Sequence, residues 1–254
     1  MSKESRKRAV ERIRAAEARQ KRRRQLLIGA GALVVAGGLA GGITAAVSGS
    51  GHPATGSGSG PANLASLSTL GTLKPSPAPG PNGPESVPIP SGAALASTAT
   101  AASGKSVDGI SCNTNEQLIF HIHAHLTIMV NGTPRQVPAG IGIPGAVTSS
   151  SASGPFVSTG TCFYWLHTHA ADGIIHIESP VHRTFTLGNF FDEWGQQLGP
   201  NQAGPATGHV TVIYNGKVFR GNPRDVPLTA HAQIQLEVGS PLVAPETISW
   251  PSGI

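Results

Sequence analysis

In FHIHAHLTIMV, residues 120–130, polar and apolar side chains alternate almost without a break. Successive side chains of a β-strand project to opposite sides, so this spacing predicts a strand with two unlike faces. His121, His123, His125, Thr127 and Met129 share one face; Phe120, Ile122, Ala124, Leu126, Ile128 and Val130 share the other. A helical period of 3.6 would scatter both sets, so the segment cannot bury its apolar residues as a helix. Asn131-Gly132 follows directly and supplies the positive backbone angles of a two-residue hairpin. Asn215-Gly216 repeats the signal inside HVTVIYNGKVFR, and Asp172-Gly173 is a third such pair.

In TLGNFFDEWGQQLGP, Leu187, Phe190, Phe191, Trp194 and Leu198 fall at helical spacing. Thr186 is placed to cap the start, and Gly199-Pro200 to stop the helix. A closing strand, AHAQIQLEVG, completes the order hairpin, helix, hairpin, strand. The expected class is α+β: mainly antiparallel hairpins with one amphipathic helix, in an order that resembles the ubiquitin-like β-grasp. An all-β cupin-like barrel or sandwich is the alternative.

Nine of the ten histidines lie between residues 121 and 231. If Asp172-Gly173 forms a two-residue turn, Ala171 faces Ile174, His169 faces His176 and His167 faces Glu178. Cross-strand partners point to the same side, with Cβ atoms about 5 Å apart. Four potential ligands, His167, His169, His176 and Glu178, then share one face of a hairpin, with Tyr164, Leu166, Thr168, Ile175 and Ile177 behind them. Imidazoles with one carboxylate suit a transition metal ion, zinc or copper ahead of iron or manganese. The competing explanation is a polar sheet face whose histidines bond to one another or to water. His121, His123 and His125 are further candidate ligands, although their spacing of about 7 Å lets at most two reach one ion. His182, His209 and His231 stand alone and read as structural. The sequence contains no GxSxG, P-loop, dinucleotide fingerprint or HExxH helix.

The charge is divided unevenly. Residues 1–25 carry eleven Lys and Arg against three Glu, a net +8, and the rest carries seven against ten, a net −3. The basic tail runs directly into an uncharged stretch, LLIGAGALVVAGGLAGGITAAV, which begins at Leu26 and ends at Val47. At about 1.5 Å per residue it spans a hydrocarbon core of roughly 30 Å. The tail then reads as the cytoplasmic flank that contacts anionic lipid headgroups, and no nucleic acid partner is expected. The expectation is a single-pass cell-membrane protein with its domain outside; secretion after signal cleavage is the alternative. Residues 48–107, rich in Gly, Ser, Pro and Ala, read as a disordered linker, in which His52 is a solvated side chain. Residues 108–245 form the histidine-rich domain, and 246–254 a C-terminal tail. The two cysteines, Cys112 and Cys162, fit a disulfide in an oxidising compartment. Cys162 has the strand parity of Tyr164 and Leu166, opposite to the histidines, which disfavours a copper-thiolate site.

The stretches HIHAHL, CFYWLHTHAADGIIHIESP and FTLGNFFDEWG together resemble an uncharacterised group of bacterial membrane-anchored exported proteins with a histidine-rich domain. The resemblance covers about residues 110–240 and implies the anchor and the exported domain, but no activity. In that group an Asp often follows the second histidine of LHTH; here the residue is Ala170, and Asp172 is the nearest substitute. The leading functional expectation is a tethered extracytoplasmic metal-binding protein for capture, buffering or delivery. The alternatives are a metal-dependent enzyme with a His/His/His/Glu site and a cell-envelope interaction module with structural histidines.

Overall fold

A computed structural model describes residues 63–254. The basic tail, the uncharged stretch and residues 48–62, with His52, lie outside the described residues. Among the described residues no helix is long and apolar enough to cross a membrane. The main sheet there has eight strands: β1 (Leu64–Ala65), β2 (Phe120–Val130), β3 (Thr133–Arg135), β4 (Leu166–His167), β5 (Ile174–Ser179), β6 (Val210–Tyr214), β7 (Lys217–Phe219) and β8 (Ala232–Val238). Their order is β1-β7-β6-β8-β2-β5-β4, with β3 paired to β2. β2 and β8 run parallel in register from Ala124 opposite Ala232 to Val130 opposite Val238, and the other pairs are antiparallel. The fold is therefore α+β on a mixed sheet, and the parallel pair excludes an all-antiparallel sandwich or barrel.

The alternation of β2 sorts as its spacing predicts. Ala124, Leu126 and Ile128, with Leu166, Ile175 and Ile177 of the neighbouring strands, enter a core closed by α1 (Leu187–Trp194) through Phe190, Phe191 and Trp194. Burial of one such Leu, Ile or Phe side chain contributes about 1.5–3 kcal/mol. The helix begins with a capping box between Thr186 and Asn189, and it ends four residues before Leu198. Gly195 is left-handed there, with φ 68°, and a Cβ at this position would lie 1.9 Å from Thr100 O. Leu198 is still buried, but on a short strand, Leu198–Gly199, paired with Gln202–Ala203.

Both Asn-Gly pairs form the expected hairpins, with φ 51° and 73° at Asn131-Gly132 and 48° and 72° at Asn215-Gly216. Asp172-Gly173 does not. Gly173 has φ 88°, but Asp172 is outside the left-handed region that such a turn requires of both residues. Asp172 instead turns its side chain inward, where Oδ1 accepts from Ile174 N at 3.2 Å. Residues 168–173 make a wider loop whose carbonyls are taken by Gly140, Val157 and Leu126 amides. His167 consequently pairs with His176, two residues off the expected register, and Glu178 lies opposite His121. A slip of two residues keeps every side chain on its face.

The expected linker is corrected over residues 63–107. β1 closes one edge of the sheet, Lys74 N donates to Leu242 O at 2.9 Å, and Leu95 N donates to Gln136 O at 2.9 Å. Val87 and Leu95 are buried, and Ser97 O accepts from Trp194 Nε1 at 3.0 Å. Proline fixes φ in advance, so a proline-rich strap loses less chain entropy on docking, and it docks by single rungs that leave no periodicity in sequence. Residues 246–254 dock too: Gln235 Oε1 accepts from Glu246 N, Gln233 Oε1 from Ile248 N, and Trp250 stacks on His231. Cys112 and Cys162 form the disulfide, with Cα atoms 5.4 Å apart.

Candidate metal centre

Side by side, β2, β5 and β4 place their polar faces together. His123 sits opposite His176 and His176 opposite His167, so three imidazoles cross three strands at one level. His121 and Glu178 occupy the next level, and the loop after β4 returns His169 to the same group. The ring centroids of His123 and His176 are 4.6 Å apart, those of His169 and His176 4.6 Å, and those of His167 and His176 5.4 Å with the rings nearly parallel. His123, His167, His169, His176 and Glu178 are buried, and His121 forms the partly exposed edge.

Backbone carbonyls fix which nitrogens face the cluster. A carbonyl only accepts, so His167 Nδ1 donates to Tyr164 O at 2.9 Å and His169 Nδ1 donates to Val157 O at 2.6 Å. In the neutral rings both Nε2 atoms then carry bare lone pairs. A glycine helps to seat the first of these: a Cβ on Gly142 would lie 2.2 Å from Leu166 O and 3.0 Å from His167 Cβ. His176 Nε2 donates to Glu85 Oε1 at 2.7 Å, and its Nδ1 lies 3.6 Å from Glu178 Oε1. His121 Nε2 is 3.2 Å from the same oxygen and 3.1 Å from His123 Nε2.

Three buried side-chain atoms in this arrangement have no hydrogen-bond partner among the described residues: Glu85 Oε2, His167 Nε2 and Glu178 Oε2. The last two face each other, 4.0 Å apart. Two lone-pair donors aimed at each other in a buried space are repulsive unless a proton or a cation stands between them. A proton is disfavoured, because burial, reinforced by the charge of His176 and His169, holds His167 well below the usual histidine range. Glu178 is also held below the carboxylate range: burial alone would raise it, but hydrogen bonds from His121 and His176 outweigh that. The chain matches no family model, no curated protein and no solved structure.

The electrostatics of the other members follow the same pattern. Burial, with neighbouring imidazole charge, lowers His123 to about 3, and burial lowers His169 as well. His176 moves the other way, to about 9: burial opposes its charge, and the bonds to Glu178 and Glu85 outweigh that opposition. His123, His167 and His169 are thus held toward the neutral imidazole that metal ligation needs, whereas His176 must first give up a proton. Donor atoms of His121, His123, His176 and Glu178 lie within 4.8 Å of one another, as do those of His167, His169 and His176 and those of Glu116, His167 and Glu178.

His125 is left out of these groups. Its Nε2 donates to Asp172 O at 2.9 Å, which places its proton on that nitrogen, and the ring lines a cavity with Thr127, Pro88 and Thr247 instead. Asp172 belongs to none of these groups either: its Oδ1 accepts from Ile174 N, and its Oδ2 is buried without a partner. His182 packs on Phe120, and His231 Nε2 donates to Ile254 O at 3.0 Å. Sequence reasoning missed two carboxylates: Glu85 from the proline-rich strap, and Glu116, whose Oε1 is 3.6 Å from His169 Nε2. Glu85 left one signal, as the single acidic residue between positions 48 and 107.

Proposed function

We propose that this chain is a membrane-tethered extracytoplasmic protein that binds a transition metal ion at the His167–Glu178 cluster, for capture, buffering or delivery. The observation that carries the reading is the facing pair of buried atoms, His167 Nε2 and Glu178 Oε2, which a divalent cation would satisfy. The outer ring nitrogens support it, because metal-bound histidines characteristically donate their other N–H to a carbonyl or carboxylate, as His167, His169 and His176 do here. An ion would enter past His121 and Glu116, the solvent-facing members. The tether and its orientation rest on the basic tail and the uncharged stretch at 26–47, and the Cys112–Cys162 disulfide fits an oxidising compartment. The run β5-β2-β8-β6-β7 within the sheet, with β2 and β8 parallel at its centre, supports a β-grasp reading of the domain.

Calorimetric titration of Zn²⁺ and Cu²⁺ into the detergent-solubilised full chain tests the binding. His167→Ala and His176→Ala should each weaken it at least 100-fold, and His125→Ala and His182→Ala should leave it unchanged. Equal affinities across the four variants, or no binding by the wild type, would make the cluster a polar sheet face and nothing more.

A further inference from the structure

The cluster holds more donors than one ion can use. A first-row ion with bonds of 2.0–2.1 Å keeps tetrahedral ligands about 3.3 Å apart. His121 Nε2 to His123 Nε2 is 3.1 Å, His121 Nε2 to Glu178 Oε1 is 3.2 Å, and His176 Nδ1 to Glu178 Oε1 is 3.6 Å. Those separations already describe the edges of one coordination shell. His167 and His169 are not part of it: the groups that bring donor atoms within 4.8 Å join His167 to His169, His176, Glu116 and Glu178, and His169 to His167 and His176, but neither to His121 or His123. Two donor sets therefore meet at β5.

The carboxylate between them faces both ways. Glu178 Oε1 is turned to His121 and His176, and Glu178 Oε2 to His167. His176 is held by Glu85 through Nε2, which leaves Nδ1 for the first set. The second set has its own bare nitrogens, His167 Nε2 and His169 Nε2, with Glu116 Oε1 3.6 Å from the latter on the solvent side. His167 is fully buried, and Glu178 is 4% exposed, so neither orphaned atom is satisfied by bulk water. Resting on the metal-binding reading above, we infer that the centre takes two divalent ions of the zinc or copper class, bridged by the Glu178 carboxylate. His121, His123 and His176 would hold one ion, and His167, His169 and Glu116 the other. A carboxylate bridge of this kind sets two ions about 3.5–4 Å apart.

The test is stoichiometry and coupling in the full chain. After saturation with Zn²⁺ and desalting, mass analysis of zinc and of the intact native protein should give two ions per chain. The double variant His167→Ala/His169→Ala should retain one, and so should His121→Ala/His123→Ala. The wild type loaded with Cu²⁺ should show a spin-coupled pair by electron paramagnetic resonance, integrating to well under two spins, and the first double variant should give the full signal of one isolated Cu²⁺. One zinc per wild-type chain would overturn the two-ion inference and leave the metal-binding reading standing. Two copper ions with uncoupled spins would overturn the bridge, since the second ion would then lie elsewhere. No bound metal at all would overturn the binding reading itself.

Discussion

His176 has a carboxylate at each ring nitrogen, Glu85 at Nε2 and Glu178 at Nδ1. That pairing is why it alone of the buried cluster histidines is lifted, to about 9, whereas burial holds His123, His167 and His169 below the usual histidine range. A metal ion taking Nδ1 must therefore displace a proton below about pH 9, whereas burial already holds His123 and His167 neutral. Apparent Zn²⁺ affinity accordingly falls as pH drops, by about tenfold per unit below about 9 from the His176 proton. Unperturbed histidines would instead give a decline through about pH 6, and neither Glu85's contact nor the depth of burial is visible in the sequence. Glu85→Gln removes one of the two carboxylates, so it should weaken Zn²⁺ binding about 10–100-fold. The pH at which affinity levels off should also move below that of the wild type. Competition titrations from pH 6 to 10 check both, and an unchanged profile in the variant would show that Glu85 does not orient the ligand.

The elements that carry the site differ in how well their sequences announced them. β2 was legible because a period of two is decided by burial on one face, and that parity also survived the two-residue error in the β4–β5 register. The register itself was not legible, since Asp-Gly can close a two-residue turn or, as here, bend inward on its own carboxylate. Residues 147–159 gave no strand signal either. They form a hairpin rich in Ser and Thr, Val147–Ser151 with Gly154–Thr159; its first strand is exposed, and Val157 of the second is buried and fixes His169 through its carbonyl. The short strand Cys112–Asn113 pairs with Phe163–Tyr164 just before β4, so the disulfide anchors the strand that presents His167. Cys112→Ser/Cys162→Ser opens a loop with a sequence separation of 50. That change should cost about 4 kcal/mol in the chain-entropy model, a fall in Tm of about 10 °C for a domain of this size. Scanning calorimetry checks it, and an unshifted Tm would show that the packing of Trp165 and Tyr164 holds the strand unaided.

At the scale of the whole molecule, a segment with the composition of a linker proves to be part of the domain. Residues 63–107 wrap the sheet edge and bring Glu85 to His176, but their Pro, Gly and Ser gave no period from which docking could be read. Burial of Val87 and Leu95 alone contributes about 1.5–3 kcal/mol each. A chain beginning at residue 63 should therefore unfold and bind Zn²⁺ as the full chain does. One beginning at 108 should unfold about 10 °C lower and bind at least tenfold more weakly, and equal behaviour of the two would return 63–107 to the role of a tether. The central claim is that a cation belongs between His167 Nε2 and Glu178 Oε2. Anomalous diffraction at the zinc edge from crystals of the Zn²⁺-saturated protein tests it most directly. The account predicts a peak within bonding distance of both atoms; peaks confined to the surface, with His167 Nε2 hydrogen-bonded to water, would contradict it.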